Sequence, residues 1–242
     1  MQYSIIIPTL NEEKLLPGLL NQLNDELLRK KFEFEIIVSD GGSNDGTVEI
    51  ALKSSDVVLV HTKREKQNIA FGRNSGAKLA KSNILIFINA DVLIPNIKLF
   101  FEYIENNFVS SGYSAMTCDV KVFPEEEIIY DKLFHTGYNG YFRMLNSLGL
   151  GMGRGECQVV KKNIFESMGG YNESLAAGED FDLFRRIRKV EKILFTSDIC
   201  VHESPRRYRR LGYRLVTTSW IRNGLSILLK DKSLSESWEQ VR

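Results

Sequence analysis

The run Ile84-Leu85-Ile86-Phe87-Ile88-Asn89-Ala90-Asp91 decides the reading of this chain: an apolar stretch of strand length stops abruptly at an amide, a small residue and a carboxylate. In open α/β sheets, ligands sit in the crevice beyond the carboxyl ends of the strands, so an acid at that point has a ligand to meet. A carboxylate there suits a hard cation such as Mg2+ or Mn2+, which in turn can hold phosphate oxygens. A helix cap or a turn is the plainer reading of the same residues, since Asn and Asp favour both.

Working outward, residues 4–7, 35–39 and 57–61 are β-branched runs of the same kind as 84–88. Between them, 12–30, 47–54 and 68–81 have helical spacing, as in Leu16, Leu20, Leu23 and Leu27. The alternation implies βαβ units, an α/β fold and a mostly parallel, Rossmann-like sheet with flanking helices. Pro95 suits the first turn of a further helix over 95–107. Beyond about residue 110 the pattern loosens into a strand at 116–123 and a helical or lid-like aromatic segment at 125–148. Gly149, Gly151, Gly153 and Gly155 predict a mobile loop. A helix over 178–190, one or two strands over 193–201 and a final amphipathic helix over 211–229 complete the chain. Without repeats or low-complexity linkers, residues 1–242 read as one domain.

The 242 residues are 43% hydrophobic and 26% charged, an ordinary globular composition, and the net charge of +1 offers no global field for nucleic acid. Charge is local instead, in Arg206, Arg207, Arg209, Arg210 and Arg214. Three widely spaced cysteines (Cys118, Cys157, Cys200) argue against a disulfide framework and fit a reducing compartment. No signal-peptide pattern opens the sequence, and no apolar run approaches the roughly 18 residues of a membrane span. The expected location is the cytoplasm, with the inner face of the membrane open as a place of peripheral contact.

Two further strand ends carry polar loops, Pro8-Thr9-Leu10-Asn11-Glu12-Glu13 and Ser39-Asp40-Gly41-Gly42-Ser43-Asn44-Asp45. Asp40, directly after an apolar strand, is placed to accept hydrogen bonds from ligand N–H groups, and Gly41-Gly42 lets backbone approach that ligand. A turn into a helix is the competing reading, and for Asp45 the favoured one.

With these residues in view, the chain resembles the inverting glycosyltransferases of family 2, which have the GT-A fold. The resemblance rests on Ile7-Pro8-Thr9-Leu10-Asn11-Glu12, Val38-Ser39-Asp40-Gly41-Gly42-Ser43, Gly72-Arg73-Asn74-Ser75-Gly76, Phe87-Ile88-Asn89-Ala90-Asp91 and Gly178-Glu179-Asp180. Each motif is weak alone; their order and spacing together are specific. The resemblance implies a nucleotide-diphosphate sugar donor of UDP or GDP, with Pro8, Thr9 and Glu12 around the nucleoside and Asp40 on its base. It implies Arg73 on the base or diphosphate, a salt bridge on its helix being the alternative. It divides the chain into a donor half (1–91), an acceptor and catalytic half (92–205) and a basic segment with the C-terminal helix (206–242).

Asp91 matches the last acid of the family's DxD metal motif, with Ala90 between. The first position is Asn89 where the family usually has aspartate, one negative charge fewer at the cation site. His202, after the strand-like Ile199-Cys200-Val201, is the candidate substitute ligand, a structural histidine being the alternative. Glu179-Asp180 matches the family's acidic pair: Asp180 is the implied base, Glu179 its support, and Asp182 reads as a solvated helix acid. Three readings of Arg206, Arg207 and their neighbours stay open. They grip a diphosphate or phosphorylated acceptor, they rest on an anionic membrane together with Leu211, Leu215, Trp220, Leu225, Leu228 and Leu229, or they form a solvated face over a core helix. Tyr138–Phe142 reads as a lid over the donor or as core. The acceptor is open between a glycan, a lipid phosphate and a small molecule. A non-catalytic nucleotide-binding module and a nucleotidyltransferase are the alternative functions, the latter disfavoured by the lack of a glycine-rich, lysine-bearing loop after the first strand.

Overall fold

Four apolar runs of the first ninety residues lie side by side as parallel strands: β1 (Tyr3–Thr9), β2 (Phe34–Asp40), β3 (Val57–Val60) and β4 (Ile84–Ile88). The structure is a computed structural model that describes residues 1–62, 68–230 and 232–233, the side chains of 228–230 excepted. β5 (Val92–Leu93), β6 (Tyr113–Val122), β7 (Cys157–Lys161) and β8 (Lys192–Glu203) extend the sheet to the order β3-β2-β1-β4-β7-β6-β8-β5 among the described residues. β7 runs antiparallel to β4 and β6, and β5 antiparallel to β8, so the sheet is parallel only in its first half and at β6–β8. Because β1, β2 and β4 are parallel, Thr9, Asp40 and Ile88 end at one edge, beside the point where strand order reverses.

Side-chain alternation sorts each strand into two cores. Ile5, Ile7, Ile36 and Val38 pack under α1 (Leu16–Leu23), α2 (Glu26–Phe32) and α5 (Ile97–Tyr103). Ile6, Ile37, Leu85 and Phe87 pack under α4 (Ile69–Leu79), α7 (Lys162–Ser167) and α8 (Glu179–Arg188). Gly76 is what lets α4 lie so close: a Cβ there would stand 2.5 Å from Ile6 Cγ2. α3 (Thr47–Ser54) joins β2 to β3, and α5 continues into a π-helical stretch, Ile104–Val109. α6 (Ile129–Ser147), α9 (Arg206–Leu211) and α10 (Tyr213–Lys230) cover the other end of the sheet.

The structure corrects several expectations from sequence. The helix expected over 12–30 is two, because the Asp25 carboxylate accepts the Leu28 N–H at 2.8 Å and starts α2 afresh. The final helix expected over 211–229 is α10, and the short α9 before it is one the sequence reading does not include; Gly212, whose φ of 79° no helix holds, separates the two. The glycines of 149–155 do not mark a mobile loop. A Cβ at Gly153 would stand 2.5 Å from the Phe184 ring, and one at Gly151 2.7 Å from the Phe184 carbonyl, so these glycines let the segment lie flat against α8. Among the described residues no helix is long and apolar enough to cross a membrane.

Candidate active site

The ends of β1, β2 and β4 open onto a cavity of about 780 Å³. Pro8, Thr9, Glu12, Arg73, Asn89, Ala90, Asp91, Glu179, Asp180, Arg206 and Arg207 all line it. The two residues that the sequence reading places in the site and the structure does not are Asp40 and His202.

Asp40 is fully buried. Its Oδ1 accepts the Gly42 and Ser43 amides at 2.9 and 2.8 Å, and its Oδ2 accepts the hydroxyls of Thr9 and Ser43 at 2.9 and 2.5 Å. With both oxygens so engaged, the carboxylate braces the loop, and it is the neighbouring Ser39 and Gly41 that face the cavity. His202 is excluded by strand alternation: in β8 Glu203 faces the cavity, so the adjacent His202 faces the other way. There its Nε2 lies 3.9 Å from Cys200 Sγ, and burial, then Lys121 nearby, lower its pKa.

Arg73, in the cavity wall, makes no salt bridge along its own helix; its partners lie on other elements. Only 1% exposed, it donates to Glu179 Oε1 at 2.9 Å, Asn89 Oδ1 at 2.9 Å and the Gly155 carbonyl at 2.7 Å. Its guanidinium thereby joins the strand end of β4 to the start of α8. Asn89 is thus a partner for this arginine, a role an amide oxygen fills without adding charge.

α8 begins after Gly178, whose φ of 82° and 2.5 Å clearance to Ile227 Cδ1 exclude a side chain. Its first turn carries Glu179, Asp180 and Asp182, favoured there by the helix dipole. Asp182 is buried and paired with Arg186 at 2.8 Å, so it is not the solvated acid expected. Asp180 lines the cavity, and burial first, then the charge of Glu179, push its carboxyl up to about 7, with Arg73 opposing.

Arg206, at the start of α9, donates through Nη2 to Glu12 Oε1 at 2.7 Å and to Asp91 Oδ2 at 2.9 Å. Arg207 beside it also lines the cavity, its pKa lowered by burial.

The sequence reading missed a buried network in the second half. Arg154, 2% exposed, lies 3.1 Å from Glu156 and 3.6 Å from Glu203, with its guanidinium over the rings of Tyr138 and Phe142. Burial raises the Glu156 carboxyl and Arg154 outweighs it, leaving Glu156 below the usual range. Glu203 is instead pushed well above it, by burial and then by Glu156. The available signal was a charge on either side of Gly155 immediately before the apolar run of β7. Tyr138 and Phe142 pack their rings against each other and wall the cavity.

Residues 4–168 match the family model described as glycosyl transferase family 2. The chain belongs to that family. Among its relatives is the 4,4'-diaponeurosporenoate glycosyltransferase of Staphylococcus haemolyticus, 30% identical over 78% of this chain and 52% of that protein, so the chain spans about half that relative's length. A mannosyltransferase from Pyrobaculum calidifontis, solved with GDP-Man and Mn2+, superposes with a TM-score of 0.67 at 19% identity over 92% of this chain and 65% of the other. Glucosyl-3-phosphoglycerate synthase from Mycobacterium tuberculosis, solved with Mn2+, UDP and phosphoglyceric acid, gives 0.60 at 18% identity over 94% and 77%. The architecture of this family 2 chain is the GT-A fold that the sequence resemblance implied.

Mn2+ accompanies both of those proteins, and the residues here bear on whether a divalent cation fits. Among the described residues no three His, Cys, Asp or Glu side chains gather as a cation site. Two carboxylates, Glu12 and Asp91, do converge on one positive group, the Arg206 guanidinium. One or two carboxylates completed by substrate phosphates is the usual Mg2+ set, so Asp91 together with a diphosphate fits such an ion.

Proposed function

We propose that this chain transfers a glycosyl group from a UDP- or GDP-sugar to an acceptor hydroxyl with inversion at the anomeric carbon. The observation that carries the reading is a carboxylate of raised pKa, Asp180, in the wall of the same cavity that Asp91 and Arg206 line. On this reading residues 1–91 hold the donor, 92–205 the acceptor and base, and Arg206 and Arg207, which open the basic segment and C-terminal helix (206–242), the diphosphate; residues 231 and 234–242 of that segment lie outside the described ones. The nucleoside lies against Pro8, Thr9, Glu12 and Ser39, with Asp40 holding the loop that receives the base. Ala90 and Asn89 form the floor, and Arg73 fixes that floor to α8. Asp91 would hold a Mg2+ or Mn2+ ion together with the donor diphosphate, and when bound that ion would neutralise charge on the leaving group. Arg206 and Arg207 offer planar donors to the same phosphates.

Asp180 takes the acceptor proton as the hydroxyl attacks, and Glu179 holds it in place through Arg73 and the start of α8. Its raised pKa suits a base near neutral pH, where a stronger proton affinity helps the transfer. Tyr138, Phe142 and Trp220 supply apolar walls for a ring-bearing acceptor.

Calorimetric binding of UDP and GDP, with and without Mn2+, tests the donor half. Expected is binding to one nucleotide that Mn2+ strengthens, with the Mn2+ effect lost in Asp91→Ala and retained in His202→Ala. Absence of binding to either nucleotide by the folded protein would overturn the reading in favour of a non-catalytic module, and pyrophosphate release on turnover would favour nucleotidyl transfer.

A further inference from the structure

The outer surface of α6 is apolar where a solvated helix would be polar. Ile129, Leu133, Met144 and Leu148 are 62%, 63%, 51% and 70% exposed, and Tyr130 and Tyr141 extend the same stripe. The stripe borders α10, which α6 meets through Tyr138 against Trp220 and Phe134 against Tyr213, centroids 5.2 Å apart in both pairs. α10 adds exposed Leu215, Ile221 and Leu225. Of the nineteen exposed large hydrophobics among the described residues, eleven lie between Ile128 and Leu150 or on α10, a concentration that scattered surface residues do not produce.

The exposed charges on these two helices are basic, Arg143 among them lying 3.7 Å from Asp119. Arg214 and Arg222 are exposed on α10, whose eighteen residues contain no acid. Lys132 and Arg143 are exposed on α6, and its single acid, Asp131, is buried against Arg209. Glu125, Glu126 and Glu127 stand beyond the N-terminal end of α6, at the margin. The same two helices contribute Tyr138, Phe142, Trp220 and Asn223 to the cavity lining.

We propose that the α6–α10 face docks on an anionic lipid surface, its apolar side chains in the headgroup layer and its arginines on lipid phosphates. Exposed aliphatic side chains with basic ones among them, the acids Glu125–Glu127 standing only at the margin, select lipid over a protein partner. Docked this way, the helices lie along the membrane and bring the cavity wall that Tyr138 and Trp220 form next to it, so the acceptor is a molecule held in that membrane; this last point alone rests on the proposed transfer.

The test is co-sedimentation with vesicles of phosphatidylglycerol mixed into phosphatidylcholine, against phosphatidylcholine alone, at low and high salt. Expected is binding to the anionic vesicles only, weakened by salt. The Arg214→Ala/Arg222→Ala double variant should bind on the order of thirtyfold more weakly, from about 1 kcal/mol for each basic residue near the surface. Leu133→Glu and Met144→Glu, at exposed positions where folding is not at stake, should each remove most of the binding. Nucleotide binding, measured separately, should be unchanged in all of them, which distinguishes failure of docking from failure of the transferase reading. Wild-type protein left in the supernatant with anionic vesicles would overturn the proposal. So would vesicle binding indifferent to Leu133→Glu, or self-association of the wild type that Leu133→Glu dissolves.

Discussion

Replacing Asp180 by Asn should leave the protein more stable above neutrality while stopping transfer. The Asp180 carboxyl titrates at about 7 in the fold against 3.8 ordinarily, chiefly because it is buried and then because Glu179 is negative beside it. The folded state therefore keeps this proton to higher pH than the unfolded state does. The stability it contributes is complete below about pH 4, declines as pH rises through the interval up to about 7, and is absent above. A tenfold difference in proton affinity is worth about 1.36 kcal/mol, so the whole interval amounts to about 4 kcal/mol. Glu179 shares the effect and the cavity admits water, which brings the working figure to about 2 kcal/mol. Asn cannot ionise, and its Oδ1 can still accept the Phe181 N–H that Asp180 accepts at 2.8 Å. Urea unfolding from about pH 4 to 8 should show the variant gaining about 2 kcal/mol over wild type at the alkaline end and nothing at the acid end. Transfer should fall by roughly 10²–10⁴, the usual contribution of a positioned base, and the wild-type rate should rise with pH through about 7. A stability difference independent of pH, or a wild-type rate without that rise, would refute the reasoning.

Arg73→Met strips a buried carboxylate, an amide oxygen and a carbonyl of one shared donor, and should cost about 3–5 kcal/mol in unfolding free energy measured by urea titration, as broken buried pairs do. Gly155→Ala places a methyl 2.9 Å from Asp180 Oδ2, and should lower the transfer rate with little loss of nucleotide affinity, read as kcat against calorimetric Kd. Arg206→Ala removes the guanidinium that Glu12 and Asp91 share, and should weaken nucleotide diphosphate binding more than nucleoside binding in the same calorimetric series.

The first half of the fold is legible because each strand there is built on a short apolar run and the segments between have helical spacing. Legibility fails where context overrides local pattern. β7 follows the charged Arg154-Gly155-Glu156 and spans only Cys157–Lys161, so it carries too little periodicity to stand out, yet it is the strand that turns the sheet antiparallel. β5 has two residues and exists only through its pairing with β8. In the site, sheet topology tells which residues arrive at the edge, and all but two of those named from sequence line the cavity. It does not tell where a side chain sends its hydrogen bonds, and so Asp40, at the right strand end, proves to serve its own loop. His202 fails by one step of the pleat, a distinction that depends on β8 register rather than on residue type.

The two arginines at the centre of the molecule are exchanged between its halves. Arg73, from the first, is held by Glu179 of the second; Arg206, from the second, is held by Glu12 and Asp91 of the first. A chimera joined near residue 91, with one half taken from a relative, therefore imports one acceptor and one donor of each pair from different ancestors. Unless both pairs travel together, the hybrid carries a buried arginine and a buried carboxylate that no longer meet. Such a hybrid keeps both pairs only where the relative carries an arginine and a carboxylate at the matching places.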